Sequence, residues 1–120
     1  MITHLHNIVL YCKDPTASRA WYERVGFTGL RGFLGMHWVG LGDLEIMLHP
    51  SEQGPAGACP QLYAAVDDID AFLKHLLDQG LQPVHHQAPG PLMAPVTTPW
   101  GSREVELFAP DGHRWGFLQD

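Results

Sequence analysis

The chain is poor in basic residues: seven Lys and Arg stand against thirteen Asp and Glu, for a formal net charge of −6 with histidine neutral. The seven are scattered, and this excludes a nucleic-acid backbone as partner, because phosphates are held by clustered cations. A neutral or cationic small molecule suits such a field better. Cysteine is also scarce, with Cys12 in an apolar strand pattern and Cys59 in a turn-like stretch. Two isolated cysteines without an export signal are expected to be reduced rather than bridged. No apolar run approaches the roughly 20 residues of a membrane span. The stretch from Met1 to Asn7 has neither the basic start nor the apolar run of a secretion signal, so a cytoplasmic protein with no membrane partner is expected. A phosphate-cradling glycine loop, a serine in a nucleophile elbow and a cysteine paired with histidine are all missing, which leaves covalent catalysis without support.

What the chain does have is a repeat. Asp14, a helical pattern and Gly26 recur as Asp68, a second helical pattern and Gly80, both displaced by 54 positions. A hydrophobic content of 45 % over 120 residues is enough for one domain, 1–120, with its own core. A small module cannot bury its own apolar face, so duplication implies two sheets curling around a shared cleft, where ligands bind. Residues 5–12 read as a strand that feeds a helix with Asp14 as N-cap and Pro15 at its first position. Three short strands follow between Phe27 and Leu48, divided by Gly35 and by Gly42 and Asp43. Module one is thus βαβββ, spanning about 1–50. Residues 51–60 are rich in breakers and form a linker to module two, about 61–120. There a strand over 61–66 precedes a helix in which Ile69, Phe72, Leu73, Leu76 and Leu77 recur at helical spacing. Residues 88–95, punctuated by Pro and Gly yet apolar, are expected to form a flap. Two last strands, about 103–108 and 113–118, meet at a turn carrying Asp111 and Gly112.

This order resembles the vicinal oxygen chelate superfamily, which includes glyoxalase I, extradiol dioxygenases and the bleomycin-resistance proteins. The resemblance covers nearly the whole chain. It is carried by the strand into Asp14 and Pro15, the run from Trp21 to Phe27, then 42–45 (Gly-Asp-Leu-Glu), 66–69 (Val-Asp-Asp-Ile) and 110–113 (Pro-Asp-Gly-His). The stretch from Gly90 to Met93, followed by Pro99, Trp100, Gly101, Arg103 and Glu104, looks most like the bleomycin-resistance branch, which sequesters its drug without chemistry. The resemblance implies an α+β fold in which two βαβββ modules form an incomplete eight-stranded barrel around a cleft, and a homodimer. It also places the four metal-ligand positions of the enzymes on Asn7, Glu45, Gln61 and Gly116. Two amides, one carboxylate and a glycine make a set poor in charge and one ligand short. No cofactor is therefore expected. A divalent metal is the alternative, in a site rebuilt with His37 or His49, although His49 lies about 13 Å along an extended strand from Glu45.

The leading expectation is a metal-independent binder of a planar or cationic compound, an antibiotic among the candidates. Phe33, Trp38, Tyr63 and Trp100 would line the cleft with Met47 and Met93, Asn7 and Gln61 would supply amide hydrogen bonds, and His37 and His49 would face the ligand. The rival is a metal-dependent lyase, isomerase or dioxygenase with Glu45 as base, its pKa raised by desolvation, or as sole strong ligand; a partner of Glu45 on a neighbouring strand would make it structural instead. Glu104 and Glu106 share a strand face near the rim, where they would attract a cation or simply be solvated. His4 and His6 are expected on the face opposite Asn7, His85 and His86 in a connecting stretch, and His75 and His113 have no evident chemical partner; none of the six is expected to ligate or catalyse, and Trp21 and Trp115 are expected in the core.

Overall fold

Two aspartates start the two helices in the same way. The Asp14 carboxylate accepts the backbone N–H of Ala17 at 3.1 Å, and Asp68 accepts that of Ala71 at 3.1 Å. Each cap satisfies a donor that the first turn leaves unpaired. Pro15 opens α1 (Pro15–Val25), which stops at Gly26 with φ at +132°. The second helix, α2 (Ile69–Asp78), is followed by Gly80 with φ at +71°. These details come from a computed structural model that describes residues 1, 3–55 and 59–119. The middle of the expected linker, 56–58, lies outside the described residues.

The chain divides into two units, Met1–Cys59 and Pro60–Asp120. Unit 1 holds β1 (Asn7–Cys12), β2 (Thr28–Phe33), β3 (Met36–Leu41) and β4 (Leu44–Pro50) in the order β1-β4-β3-β2, with β1 parallel to β4. Strand alternation sends Val39, Ile46 and Leu48 toward α1, where all three are fully buried. Burial of each such side chain contributes roughly 1.5–3 kcal/mol. A bulge between Gly29 and Arg31 shifts the register of β2. Gly29 lies under α1, where a Cβ would meet Arg19 and Glu23 side-chain atoms at 2.7 and 2.9 Å.

Unit 2 repeats the plan with β5 (Leu62–Ala65), β6 (Val96–Thr97), β7 (Arg103–Phe108) and β8 (Arg114–Gln119), in the order β5-β8-β7-β6. The face of β7 and β8 toward α2 carries Val105, Leu107, Trp115 and Phe117, with the Phe72 and Phe117 ring centroids 4.8 Å apart. Trp21 and Trp115 are both buried, as expected. The first strand after α2, β6, is only two residues long, because Pro95 and Pro99 bracket it and proline cannot extend a ladder. Ahead of it, Val84 makes an isolated bridge to Glu106 on β7, with N–H···O distances of 2.8 and 2.7 Å in the two directions. That bridge fixes residues 83–86 against the sheet.

The fold is α+β with two four-stranded sheets. Neither cysteine forms a disulfide. Among the described residues no helix is long and apolar enough to cross a membrane. Replacing Asp68 by alanine is expected to cost about 1 kcal/mol in urea unfolding. An unchanged midpoint and slope would show that the cap contributes nothing.

Candidate functional site

On the face of unit 2 turned away from α2, β7 presents Glu104 and Glu106, and both are almost completely buried, with 2 % and 1 % of their surface exposed. Two adjacent carboxylates are removed from water only where hydrogen bonds replace it. Glu104 receives the His85 Nε2–H at 2.9 Å, the Ser102 hydroxyl at 2.7 Å and the Trp100 indole N–H at 3.4 Å. Glu106 receives the Gln61 amide at 2.8 Å, the His86 Nδ1–H at 2.9 Å and the His86 backbone N–H at 3.0 Å. Burial pushes both carboxyls up, but these donors outweigh it and hold both below the ordinary glutamate value of 4.5. The pair is therefore ionised at neutral pH. Among the described residues no buried side-chain polar atom lacks a partner.

The histidines are brought in by the Val84 bridge. His85 is locked at both nitrogens, since its Nδ1 accepts the Gln87 N–H at 3.1 Å. His86 stacks on it with ring centroids 4.4 Å apart and planes inclined by 23°. A carboxylate only accepts, so His86 donates its Nδ1–H to Glu106, and its side chain is 38 % exposed. Ligating atoms of His85, His86 and Glu106 lie within 4.8 Å of one another. The stacking nevertheless opposes a shared ion, because a metal must lie in the plane of each imidazole that binds it and the two planes are nearly parallel.

Around this cluster stand two exposed rings. Trp100, tethered through its N–H, is 63 % exposed. Tyr63 lies over Gly116, whose missing side chain makes room for the ring. Burial, then the negative charge of Glu104 and Glu106, raises the Tyr63 phenol above its ordinary range, so its hydroxyl keeps its proton. Gln61 is held at both ends, donating to Glu106 and accepting from Arg114. Met93 is exposed, while Leu92 in the expected flap is buried and its N–H is held by Pro83 O at 2.9 Å.

Unit 1 places the other predicted residues on the two faces of its sheet. His37 lies on the α1 side, bonded to Thr16 at 3.2 Å and Arg19 at 3.3 Å, so it does not share the face of Glu45. The opposite face carries Asn7, Trp38, Glu45, Met47 and His49, by the pairings of β1 with β4 and of β3 with β4. His49 packs edge-on to Tyr11 at 5.5 Å, and Phe33 is exposed at the end of β2. Asn7 bonds the His6 ring at 2.9 Å. Glu45 is paired with Arg31 through two hydrogen bonds, of 2.6 and 3.3 Å, and Arg31 also lies over the Trp38 ring at 4.8 Å. The Arg31 hydrogen bond holds the Glu45 carboxyl below its ordinary range. The expectation of a pKa raised by desolvation is thus corrected, because the guanidinium outweighs the partial burial.

A family profile described as the Glyoxalase/Bleomycin resistance protein/Dioxygenase superfamily matches residues 4–117. The chain belongs to this superfamily. Among solved structures, the bleomycin resistance determinant encoded on the transposon Tn5 superposes with a TM-score of 0.75 at 23 % identity, covering 98 % of both chains. A bleomycin-binding protein complexed with bleomycin gives 0.73 at 22 %, covering 99 % of both. A virulence protein from Salmonella typhimurium gives 0.73 at 22 %, covering 99 % of this chain and 98 % of its own. No curated protein sequence matches.

The metal positions that the superfamily implies do not fit a divalent ion in this member. Gly116 has no donor and the Tyr63 ring fills its place. The Gln61 oxygen is taken by a guanidinium, and the one carboxylate, Glu45, is neutralised by another. The cluster on β7 differs from the sequence expectation, which places Glu104 and Glu106 near the rim and His85 and His86 in a connecting stretch without a chemical role. The available signal was two acids alternating with Val105 and Leu107 on one strand together with a His-His pair. What buries the acids is the bridge from Val84, which no local pattern announces.

A carboxyl whose pKa is lowered by folding stabilises the fold in full above its unfolded value and loses that contribution as pH falls through the folded one. Unfolding free energy is therefore expected to decline from about pH 5 downward, and to decline less steeply in Glu106→Gln. Urea titrations at a series of pH values check this, and parallel curves for the two proteins would contradict it.

Proposed function

We propose that this protein is a metal-independent binder of a planar, cationic small molecule, held on the unit 2 face that carries Glu104 and Glu106. The observation that carries this reading is the pair of ionised carboxylates beneath an exposed Trp100 whose N–H is tied to Glu104. Buried carboxylates with no arginine or lysine directly on them leave a net negative field, which a cation neutralises. The tethered indole offers a rigid stacking surface. One structural neighbour is a bleomycin-binding protein and another a bleomycin resistance determinant, which supports a small-molecule ligand here. Exposed Val9, Tyr11, Leu30, Phe33 and Leu34 on unit 1 support a homodimer as the working form.

The rival reading, a metal-dependent lyase, isomerase or dioxygenase using Glu45, is weakened by the Arg31 pair, which lowers the basicity of that carboxylate and occupies both its oxygens. Bleomycin is the first probe. Calorimetric titration is expected to give saturable binding that weakens with added salt, and Trp100→Ala is expected to weaken it by about two- to tenfold, the worth of one stacked ring. Absence of saturable heat removes bleomycin as a ligand, and an unchanged affinity in the variant removes the stacking role of Trp100.

A further inference from the structure

The Lys and Arg side chains of unit 2 are Lys74, Arg103 and Arg114. Two of them are spent on carboxylates, Lys74 on Asp78 at 2.9 Å and Arg103 on Asp70 at 2.7 Å. Arg114 meets no carboxylate among the described residues. Its Nη2 donates to the Gln61 side-chain oxygen, and Gln61 passes its own amide N–H to Glu106 at 2.8 Å. This relay has one direction, because a guanidinium has only donors and a carboxylate only acceptors. The amide between them keeps the two charges apart instead of letting them cancel in an ion pair.

A guanidinium presents a planar fork of N–H donors, and Arg114 uses one edge of it on Gln61. Arg114 is partly buried, yet among the described residues no buried side-chain polar atom lacks a partner, so the nitrogens not spent on Gln61 reach solvent. Strand alternation sets Arg114 on the face of Gly116, and Gly116 lies between Tyr63 on β5 and Glu106 on β7. A Cβ at Gly116 would meet the Gln61 Nε2 at 3.2 Å, which places that amide over the glycine. The face is therefore dipolar, with two ionised carboxylates on β7 and an unneutralised guanidinium toward β5.

We infer that Arg114 holds a carboxylate of the ligand, so that this face takes a zwitterion: a planar group with its cation toward Glu104 and Glu106 and a carboxylate at the opposite end. The inference rests on the planar-cation reading above and adds to it a second charge of opposite sign. The guanidinium fork matches both oxygens of a carboxylate, and partial burial strengthens the contact. The Tyr63 hydroxyl on the same face donates and accepts, so it serves a ligand with or without a carboxylate. The charge that tells the two apart is that of Arg114.

The experiment compares 4-amidinobenzoate, a flat ring with a cation at one end and a carboxylate at the other, with benzamidine and with benzoate, by calorimetry on the full chain at neutral pH. 4-Amidinobenzoate is expected to bind about tenfold more tightly than benzamidine, the worth of one hydrogen-bonded charge pair. In Arg114→Gln that preference should vanish while benzamidine binds at least as tightly as before, because a like charge is gone. In Tyr63→Phe the preference should persist. Equal affinity for 4-amidinobenzoate and benzamidine in the wild type overturns the role of Arg114 and leaves the planar-cation reading standing. A preference that survives Arg114→Gln or is lost in Tyr63→Phe does the same, as does a parallel loss of both probes in Arg114→Gln, which makes that side chain structural. Benzoate binding as tightly as 4-amidinobenzoate overturns the planar-cation reading and keeps the carboxylate on Arg114. Binding of none of the three overturns both.

Discussion

Glu104 and Glu106 are the constraint around which unit 2 is arranged. Two carboxylates at alternate positions of one strand share a face, and here that face is dry. Removing one partner from a buried, hydrogen-bonded charge costs several kcal/mol, roughly 3–5, so the groups around the pair are not interchangeable. The bridge from Val84 brings two imidazoles and a main-chain N–H, the loop before β7 brings Ser102 and the Trp100 indole, and the start of β5 brings Gln61. The donors come from three separate segments of unit 2. The network therefore ties the excursion between α2 and β7 to the sheet as well as settling the charge.

The two units have solved a common problem differently. Unit 1 sets Asn7 across from Glu45 and places Arg31 on that carboxylate. Unit 2 sets Gln61 beside Arg114 and moves its carboxylates to β7. In each unit a guanidinium stands next to an inherited metal position. A guanidinium supplies directional donors to a carboxylate or amide and is always charged, so it can replace the structural service of a cation without its Lewis acidity. These guanidinium contacts, together with the lack of a donor at Gly116, support the proposed reading of a metal-independent binder.

Much of the fold was legible in the sequence because its signals are local. Asp14 and Asp68 cap their helices as the motif reads, Gly26 and Gly80 follow them, and the apolar spacing from Ile69 to Leu76 faces the sheet. That Glu45 could be paired was within reach, but its partner Arg31 lies on β2, which β3 separates from β4, and not on a neighbouring strand. The site was less legible. Burial of Glu104 and Glu106 depends on residues some twenty positions away that touch β7 through a single bridge, and alternation alone makes such acids look solvated. His37 was assigned by chemistry, yet strand parity sends it to α1, because the bulge before Arg31 and the pairing with Leu48 decide its face. Trp100 in its loop was visible from the flanking Pro99 and Gly101, but its bond to Glu104 was not.

The most direct test of this account is a carbon-13 NMR titration of the side-chain carboxyl groups of Glu104 and Glu106. The account predicts that both remain ionised below the pH at which ordinary glutamates protonate, and that their loss of charge coincides with disruption of the His85 and His86 contacts. Titration of either group at or above the ordinary glutamate range, with the fold intact, would contradict it.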